Sequence, residues 1–149
     1  MNSARRQPAP ISAPALTKAE REAPTVLIVD DESPIADALG DIIEEAGYRA
    51  ITATNGRLAL ELARQQRVVF VITDYMMPYV NGAELILALR EDAEAQGRPA
   101  PPIALMSAVA EQVDMSVTGA DVIISKPFDI AEIEEVLRQF MGPVDSFSE

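Results

Sequence analysis

Three stretches of the chain are apolar without a break, and each stops at a polar residue. Residues 25–29, Thr-Val-Leu-Ile-Val, run into Asp30-Asp31-Glu32. Residues 68–72, Val-Val-Phe-Val-Ile, run into Thr73-Asp74, and residues 103–106 end at Ser107. Short continuous runs rich in β-branched residues predict strands buried on both faces. Two further strands are expected at 49–53 and 122–125, the second ending at Lys126-Pro127. Helical spacing fills the gaps. Ile35, Leu39, Ile42, Ile43 and Ala46 follow Ser33-Pro34, which reads as an N-cap with proline at the first helical position, and Gly47 stops the helix. A helix over 56–66 carries Leu58, Ala59, Leu62 and Ala63. The next starts near Gly82 with Leu85, Ile86 and Leu89, after a loop over 75–81. A proline-rich connection covers 97–102, and a short helical segment is expected over about 110–118. The last helix, about 129–141, buries Ile130, Ile133, Leu137 and Phe140 and ends at Gly142-Pro143. Five strands alternating with five helices imply an α/β domain with a parallel sheet, right-handed crossovers and helices on both faces.

Composition narrows the chemistry. The 149 residues fit one domain, and they include no cysteine and no histidine. Disulfides, thiolate zinc sites, Cys nucleophiles, Ser-His-Asp triads and zincin chemistry are therefore excluded. Any metal must be held by oxygen, which points to Mg²⁺, Ca²⁺ or Mn²⁺. The net charge of −12 is uneven. Residues 1–24 hold Arg5, Arg6, Lys18 and Arg21 against Glu20 and Glu22, so they carry +2 and the remainder −14. That balance argues against nucleic acid as a direct partner, because phosphate neutralisation needs Lys and Arg. No apolar run approaches the ~18 residues of a membrane-spanning helix, and no hydrophobic core follows the early arginines, so neither membrane insertion nor a signal peptide is expected. A cytoplasmic location is the expectation. Residues 1–24, with Pro8, Pro10, Pro14 and Pro24, read as a disordered tail or a linker, residues 25–142 as the folded domain, and residues 143–149 as a short C-terminal tail.

In parallel α/β sheets the ligand site lies at the carboxyl ends of the strands. The polar residues collect there: Asp30 and Asp31 after the first strand, Asp74 at the end of the third, Ser107 at the end of the fourth and Lys126 after the fifth. Singly, each reads as ordinary loop or turn chemistry. Together they converge on one edge. Carboxylates packed together stay ionised cheaply only around a cation, and oxygen ligands with retained waters suit Mg²⁺. Such a pocket attracts a phosphoryl donor, and an Asp within it can act as nucleophile to form an acyl phosphate.

These residues resemble the bacterial response-regulator receiver family, with its CheY-like, flavodoxin-like fold. The resemblance covers about residues 25–141. It rests on Val26-Leu-Ile-Val-Asp-Asp-Glu32, on Ile72-Thr-Asp-Tyr-Met-Met-Pro78 with Asn81-Gly82, on Leu105-Met-Ser-Ala108, and on Gly119-Ala-Asp121 leading to Ser125-Lys-Pro-Phe128. It implies a doubly wound five-stranded parallel sheet in the order 2-1-3-4-5. It implies Asp74 as phosphoacceptor, Mg²⁺ held by Asp30, Asp31, Asp74 and the main-chain carbonyl of Met76, and Ser107 and Lys126 contacting the phosphoryl group. The Lys126-Pro127 bond is expected to be cis. The donor would be a histidine kinase or a histidine phosphotransfer protein, since this chain has no histidine to supply.

Three positions depart from the family pattern. Ile123 stands where Tyr or Phe is usual and cannot make that aromatic's rotameric switch. The interval from Ser107 to Gly119 is about one helical turn short. Asn81 replaces the commoner Asp before Gly82, and Asn also suits a turn. Met76 and Val109, both apolar, flank the site and offer nothing to orient an attacking water, so slow self-dephosphorylation is expected. Only eight residues follow Met141, so no output domain is expected C-terminally, and output would be binding of a downstream protein through helix 4, strand 5 and helix 5. The alternative is a non-switching, receiver-like interaction module, which Ile123 and the short fourth helix favour. An Asp-nucleophile phosphohydrolase would need a second carboxylate two residues after the nucleophile, where this chain has Met76. Turnover of an external substrate is therefore not expected.

Overall fold

The computed structural model describes residues 24–77, 80–108 and 115–142. Its strands are β1 (Thr25–Val29), β2 (Arg49–Ala53), β3 (Val68–Asp74), β4 (Ile103–Ser107) and β5 (Val122–Ser125). Its helices are α1 (Ser33–Glu45), α2 (Gly56–Gln65), α3 (Gly82–Ala95), α4 (Met115–Thr118) and α5 (Ile130–Met141). The strands form one sheet in the order β2-β1-β3-β4-β5, and every neighbouring pair is parallel. Of the fourth helix, Met115–Thr118 is described. The rest of that expected helix, Val109 with it, lies outside the described residues, as do residues 1–23 and 143–149 of the expected tails.

The continuous apolar runs follow from this order. Side chains alternate along a strand, so a central strand feeds both faces of the sheet. Val26, Ile28, Phe70, Ile72, Ala104, Met106 and Ile124 pack with Ala36, Leu39 and Ile43 of α1 and Ile133, Val136 and Leu137 of α5. Leu27, Val29, Val71, Ile103 and Leu105 pack with Ala59 and Ala63 of α2 and Leu85, Ile86 and Leu89 of α3. The edge strands β2 and β5 are only partly buried, which matches their weaker hydrophobic runs.

Two helix starts show how local chemistry aims the site. The Asn81 side chain accepts the N–H of Glu84, and the Glu84 carboxylate accepts the N–H of Asn81, which makes a capping box at α3. The start of α1 differs from the Ser-Pro reading. Glu32 is its N-cap, Ser33 is already helical, and no side chain caps the end. The reason is local: the Glu32 N–H donates to Asp30 Oδ1 at 2.9 Å, which draws the helix start one residue earlier. Pro34 is still tolerated in the first turn, where its missing N–H would have had no helical partner.

At the opposite edge of the sheet, Arg90 of α3 donates to the Gly119 carbonyl at 2.6 Å and to Asp121 Oδ2 at 3.1 Å. The same Asp121 oxygen accepts the N–H of Ile103 at 2.8 Å. This link ties α3 and the starts of β4 and β5 to the end of α4, far from the carboxyl ends of the strands.

Candidate phosphoacceptor and cation site

The chain reverses its direction of winding between β1 and β3, and a crevice opens at the carboxyl ends of those two strands. Asp30 and Asp74 stand on its two sides. Val29 pairs with Thr73 in the register, so the residues that follow are neighbours. Asp30 is fully buried and Asp74 is buried, whereas Asp31 is exposed. One carboxylate oxygen from each of Asp30, Asp31 and Asp74 lies within 4.8 Å of the others.

Lys126 follows the far edge strand β5 and still reaches this cluster. Its bond to Pro127 is cis, as the family resemblance led us to expect. Its N–H donates to the Ser107 carbonyl at 3.0 Å. Its ammonium lies 3.1 Å from Asp74 Oδ1, 3.5 Å from Asp30 Oδ2 and 3.8 Å from Glu32 Oε1. Ser107 is buried at the end of β4, opposite Ser125 and beside the strand that carries Asp74. The five side chains singled out in the sequence are therefore at one edge, with the four charged ones in a single cluster. Met76 lies two residues past Asp74 in the adjoining loop, and its side chain is 69% exposed.

The electrostatics follow from that geometry. Burial pushes the Asp74 carboxyl above its ordinary value, Asp30 adds to the rise, and the hydrogen bond and charge of Lys126 oppose it. Burial alone would lower the Lys126 ammonium, but the carboxylates of Asp74, Asp30 and Glu32 outweigh it and hold the group above its ordinary value. Both shifts agree with a pocket that has more carboxylates than ammoniums.

A hard divalent cation fits this donor set. All the ligand atoms on offer are oxygen, the type Mg²⁺ prefers. The informative atom is Asp30 Oδ2, which is buried and accepts no hydrogen bond, its charge met by the Lys126 ammonium at 3.5 Å. One ammonium cannot balance the three carboxylates gathered here, and a buried, under-compensated carboxylate is costly, so a further cation is favoured.

Two contributors carried no role in the sequence reading. Glu32 was visible in the acidic run, but nothing local shows that it reaches Lys126. The second is Gly82. A Cβ on Gly82 would come 2.5 Å from Leu105 Cδ1, 2.7 Å from the Asp74 carbonyl oxygen and 3.0 Å from Tyr75 Cα. The Gly82 N–H also donates to the Tyr75 carbonyl at 2.8 Å. The start of α3 thus presses against the backbone of the residue proposed as acceptor. The pattern Asn81-x-x-Glu84 was a legible signal for the helix start, but the close approach was not.

A parallel sheet in this order, with an acidic cluster at its switch point and a lysine brought in from the edge strand, defines a receiver domain. The chain belongs to the response regulator receiver domain family, whose match spans residues 26–138. It is similar to the response regulator Rre1 of Synechocystis sp., with 30% identity over 119 residues, which are 79% of this chain and 52% of that protein. The chain thus spans about half the length of that relative. It is also similar to the polar-differentiation response regulator DivK of Brucella anthropi, with 29% identity over 118 residues, 79% of this chain and 96% of that one. Among solved structures it resembles the response regulator TrrA of Thermotoga maritima in complex with Mg²⁺-BeF, with 29% identity and a TM-score of 0.69, over 79% of this chain and 99% of that one. Receiver domains are the signalling modules of two-component phosphorelays. They bind Mg²⁺ at an acidic pocket and interact with histidine kinases or phosphotransfer proteins. Among the described residues, no helix is long and apolar enough to cross a membrane.

Proposed function

We propose that this protein accepts a phosphoryl group on Asp74 from a phosphohistidine of a kinase or phosphotransfer protein, and that the phosphorylated form changes its binding to a downstream protein. The observation that carries this reading is the Lys126 ammonium 3.1 Å from Asp74 Oδ1, beside three carboxylates whose oxygens lie within 4.8 Å. An Asp74 carboxylate oxygen would attack phosphorus in line. A new O–P bond forms, the N–P bond to the donor imidazole breaks, and the electron pair of that bond returns to the imidazole nitrogen. Asp30, Asp31 and Asp74, with the Met76 carbonyl, would hold Mg²⁺, which neutralises charge on the pocket and the phosphoryl oxygens when bound. Lys126 would pair with the phosphoryl oxygens as they gather charge, and the Ser107 hydroxyl would donate to another of them.

The test is intact mass after incubation with acetyl phosphate. With Mg²⁺ the protein is expected to gain about 80 Da, the mass of one phosphoryl group on a carboxylate, and with EDTA none. No gain in either condition would overturn the reading. Met76, exposed and apolar, gives no polar side chain to guide water. The adduct is therefore expected to persist for minutes in a phosphate-release time course, and loss within seconds would defeat that expectation. Asp30→Asn is expected to weaken Mg²⁺ binding by about tenfold or more, the scale of losses at supporting residues of metal sites, as read by calorimetric titration. Unchanged affinity would remove Asp30 from the site.

Output through α4, β5 and α5 is the surface we favour for the downstream protein. Its apolar side chains include Met115 and Ile130, both exposed. The −14 charge outside residues 1–24 argues against a direct nucleic-acid target. No cysteine and no apolar membrane-length run in the chain fit action in the cytoplasm. One observation favours the second reading, an interaction module that does not switch: the side chain at position 123 is an isoleucine packed against the α2–α3 face of the core, not an aromatic ring that could change rotamer. An adduct that forms but leaves every binding partner unchanged would support that reading.

A further inference from the structure

Glu32 is not among the residues assigned to cation or phosphoryl, yet it is built into the same cluster. Its N–H donates to Asp30 Oδ1, and its carbonyl accepts the N–H groups of Ile35 and Ala36 at 3.1 Å, so its backbone is held between the site and α1. Its carboxylate caps no helix N–H and stands 61% exposed, with Oε1 3.8 Å from the Lys126 ammonium.

The Lys126 ammonium sits against Asp74 Oδ1 and Asp30 Oδ2. Asp30 and Asp74 are also the two buried members of the carboxylate cluster that fits a divalent cation. A divalent ion on these carboxylates and an ammonium in contact with both repel one another in a partly desolvated crevice, so Lys126 where it stands opposes entry of the metal. The lysine stem is flexible while its backbone is held by the Ser107 carbonyl, so the ammonium can swing on its stem without moving β5. Among the described residues, the carboxylates within ion-pair distance of Lys126 are Asp30, Asp74 and Glu32. Of these, only Glu32 lies outside the cation cluster.

We propose that Glu32 is a positioning residue that takes the Lys126 ammonium when Mg²⁺ enters, so that the cation can occupy Asp30 and Asp74 without leaving the lysine unpaired. The inference rests on the Mg²⁺ reading above. Without the Glu32 carboxylate, Lys126 stays on Asp30 and Asp74 and competes with the metal. Glu32 is exposed enough to release the ammonium again when phosphoryl oxygens arrive.

The experiment is a double-mutant cycle on Mg²⁺ affinity, measured by calorimetric titration of the phosphoryl-free protein. Glu32→Gln is expected to weaken Mg²⁺ binding about fivefold, within the range of coupling between neighbouring charged groups. In a Lys126→Met background the same substitution is expected to change affinity less than about twofold, because there is no ammonium left to place. Each variant is checked by a cooperative melt without Mg²⁺, and Lys126→Gln replaces Lys126→Met if that variant does not fold. An equal loss in both backgrounds overturns the proposal, because Glu32 would then act by its own charge or as a ligand. An unchanged affinity in Glu32→Gln also overturns it. Failure of the wild-type protein to take up Mg²⁺ at all would overturn the metal reading first, and this inference with it.

Discussion

Asp74→Asn is expected to gain no phosphoryl group under conditions where the unmodified chain gains about 80 Da on its carboxylate. The substitution changes one oxygen for an NH₂ and leaves the volume of this buried site nearly constant. A folded protein that has lost the adduct therefore locates the chemistry at this side chain. An adduct that survives the change would move the acceptor elsewhere and end the proposal. The same variant makes a second, independent statement about stability. The Asp74 carboxyl is held above its ordinary value, chiefly by burial. Its ionised form is thus less favourable in the folded chain than in the unfolded one. The stability this group contributes is present below the unfolded value of about 4 and is lost as pH rises through the raised one. At neutral pH without Mg²⁺, Asn removes that cost, although Lys126 loses its nearest partner. We expect a net rise in Tm, because burial is the largest influence on this carboxyl. Thermal melts in EDTA read it directly, and a fall in Tm would show that the ion pair to Lys126 outweighs the burial of Asp74. Added Mg²⁺ should raise the Tm of the unmodified chain more than that of the variant.

Gly82→Ala is expected to be the most damaging single methyl group that can be added at this edge. Two effects oppose each other. Alanine is a better helix former than glycine by about 1 kcal/mol, and Gly82 is the first residue of α3. Against that, the new methyl would lie 2.7 Å from the Asp74 carbonyl oxygen and 3.0 Å from Tyr75 Cα. These are backbone atoms and cannot rotate away. The Leu105 Cδ1 contact at 2.5 Å could be relieved only by disturbing a fully buried side chain. Overpacking of this kind costs about 1–3 kcal/mol and exceeds the propensity gain. We expect a net loss of about 2 kcal/mol in denaturant unfolding, with phosphorylation by acetyl phosphate slowed because the Asp74–Tyr75 backbone has shifted. A variant as stable as the parent would mean that α3 can slide outward freely, contrary to the capping box and the Gly82–Tyr75 hydrogen bond that hold it.

Much of this architecture was legible along the chain, for a simple reason. A strand buried on both faces is apolar through most of its length, and it turns polar at its carboxyl end, where the site opens. β1, β3 and β4 satisfy both conditions, so their positions and the residues that end them, Asp30, Asp74 and Ser107, could be read directly. The helix over 129–141 was legible from its apolar spacing, and Asp129 caps it with a box to Glu132. But Ile130, expected in the core, is exposed on the first turn, and Val136 and Met141 are buried with Ile133 and Leu137 instead. The start of α1 was not. Ser33-Pro34 carries a valid local signal, but the Asp30 carboxylate captures the Glu32 N–H and overrides it. The strand order and the inward reach of Lys126 came from likeness to a family, because no local pattern tells which strands are neighbours.

From the order of its residues alone this protein is committed to an alternating strand-helix chain, to oxygen-only cation chemistry, and to acidic and hydroxyl residues at the strand ends. Both the hydrophobic period and the lack of histidine and cysteine act locally and need no partner. The tertiary structure decided that Lys126 meets Asp74 rather than solvent, that Glu32 faces Lys126, and that position 82 has no room for a methyl group. Each of these is a contact between segments distant in the chain or across a turn. Such contacts depend on backbone placement to within an ångström, which a pattern of residue types does not encode.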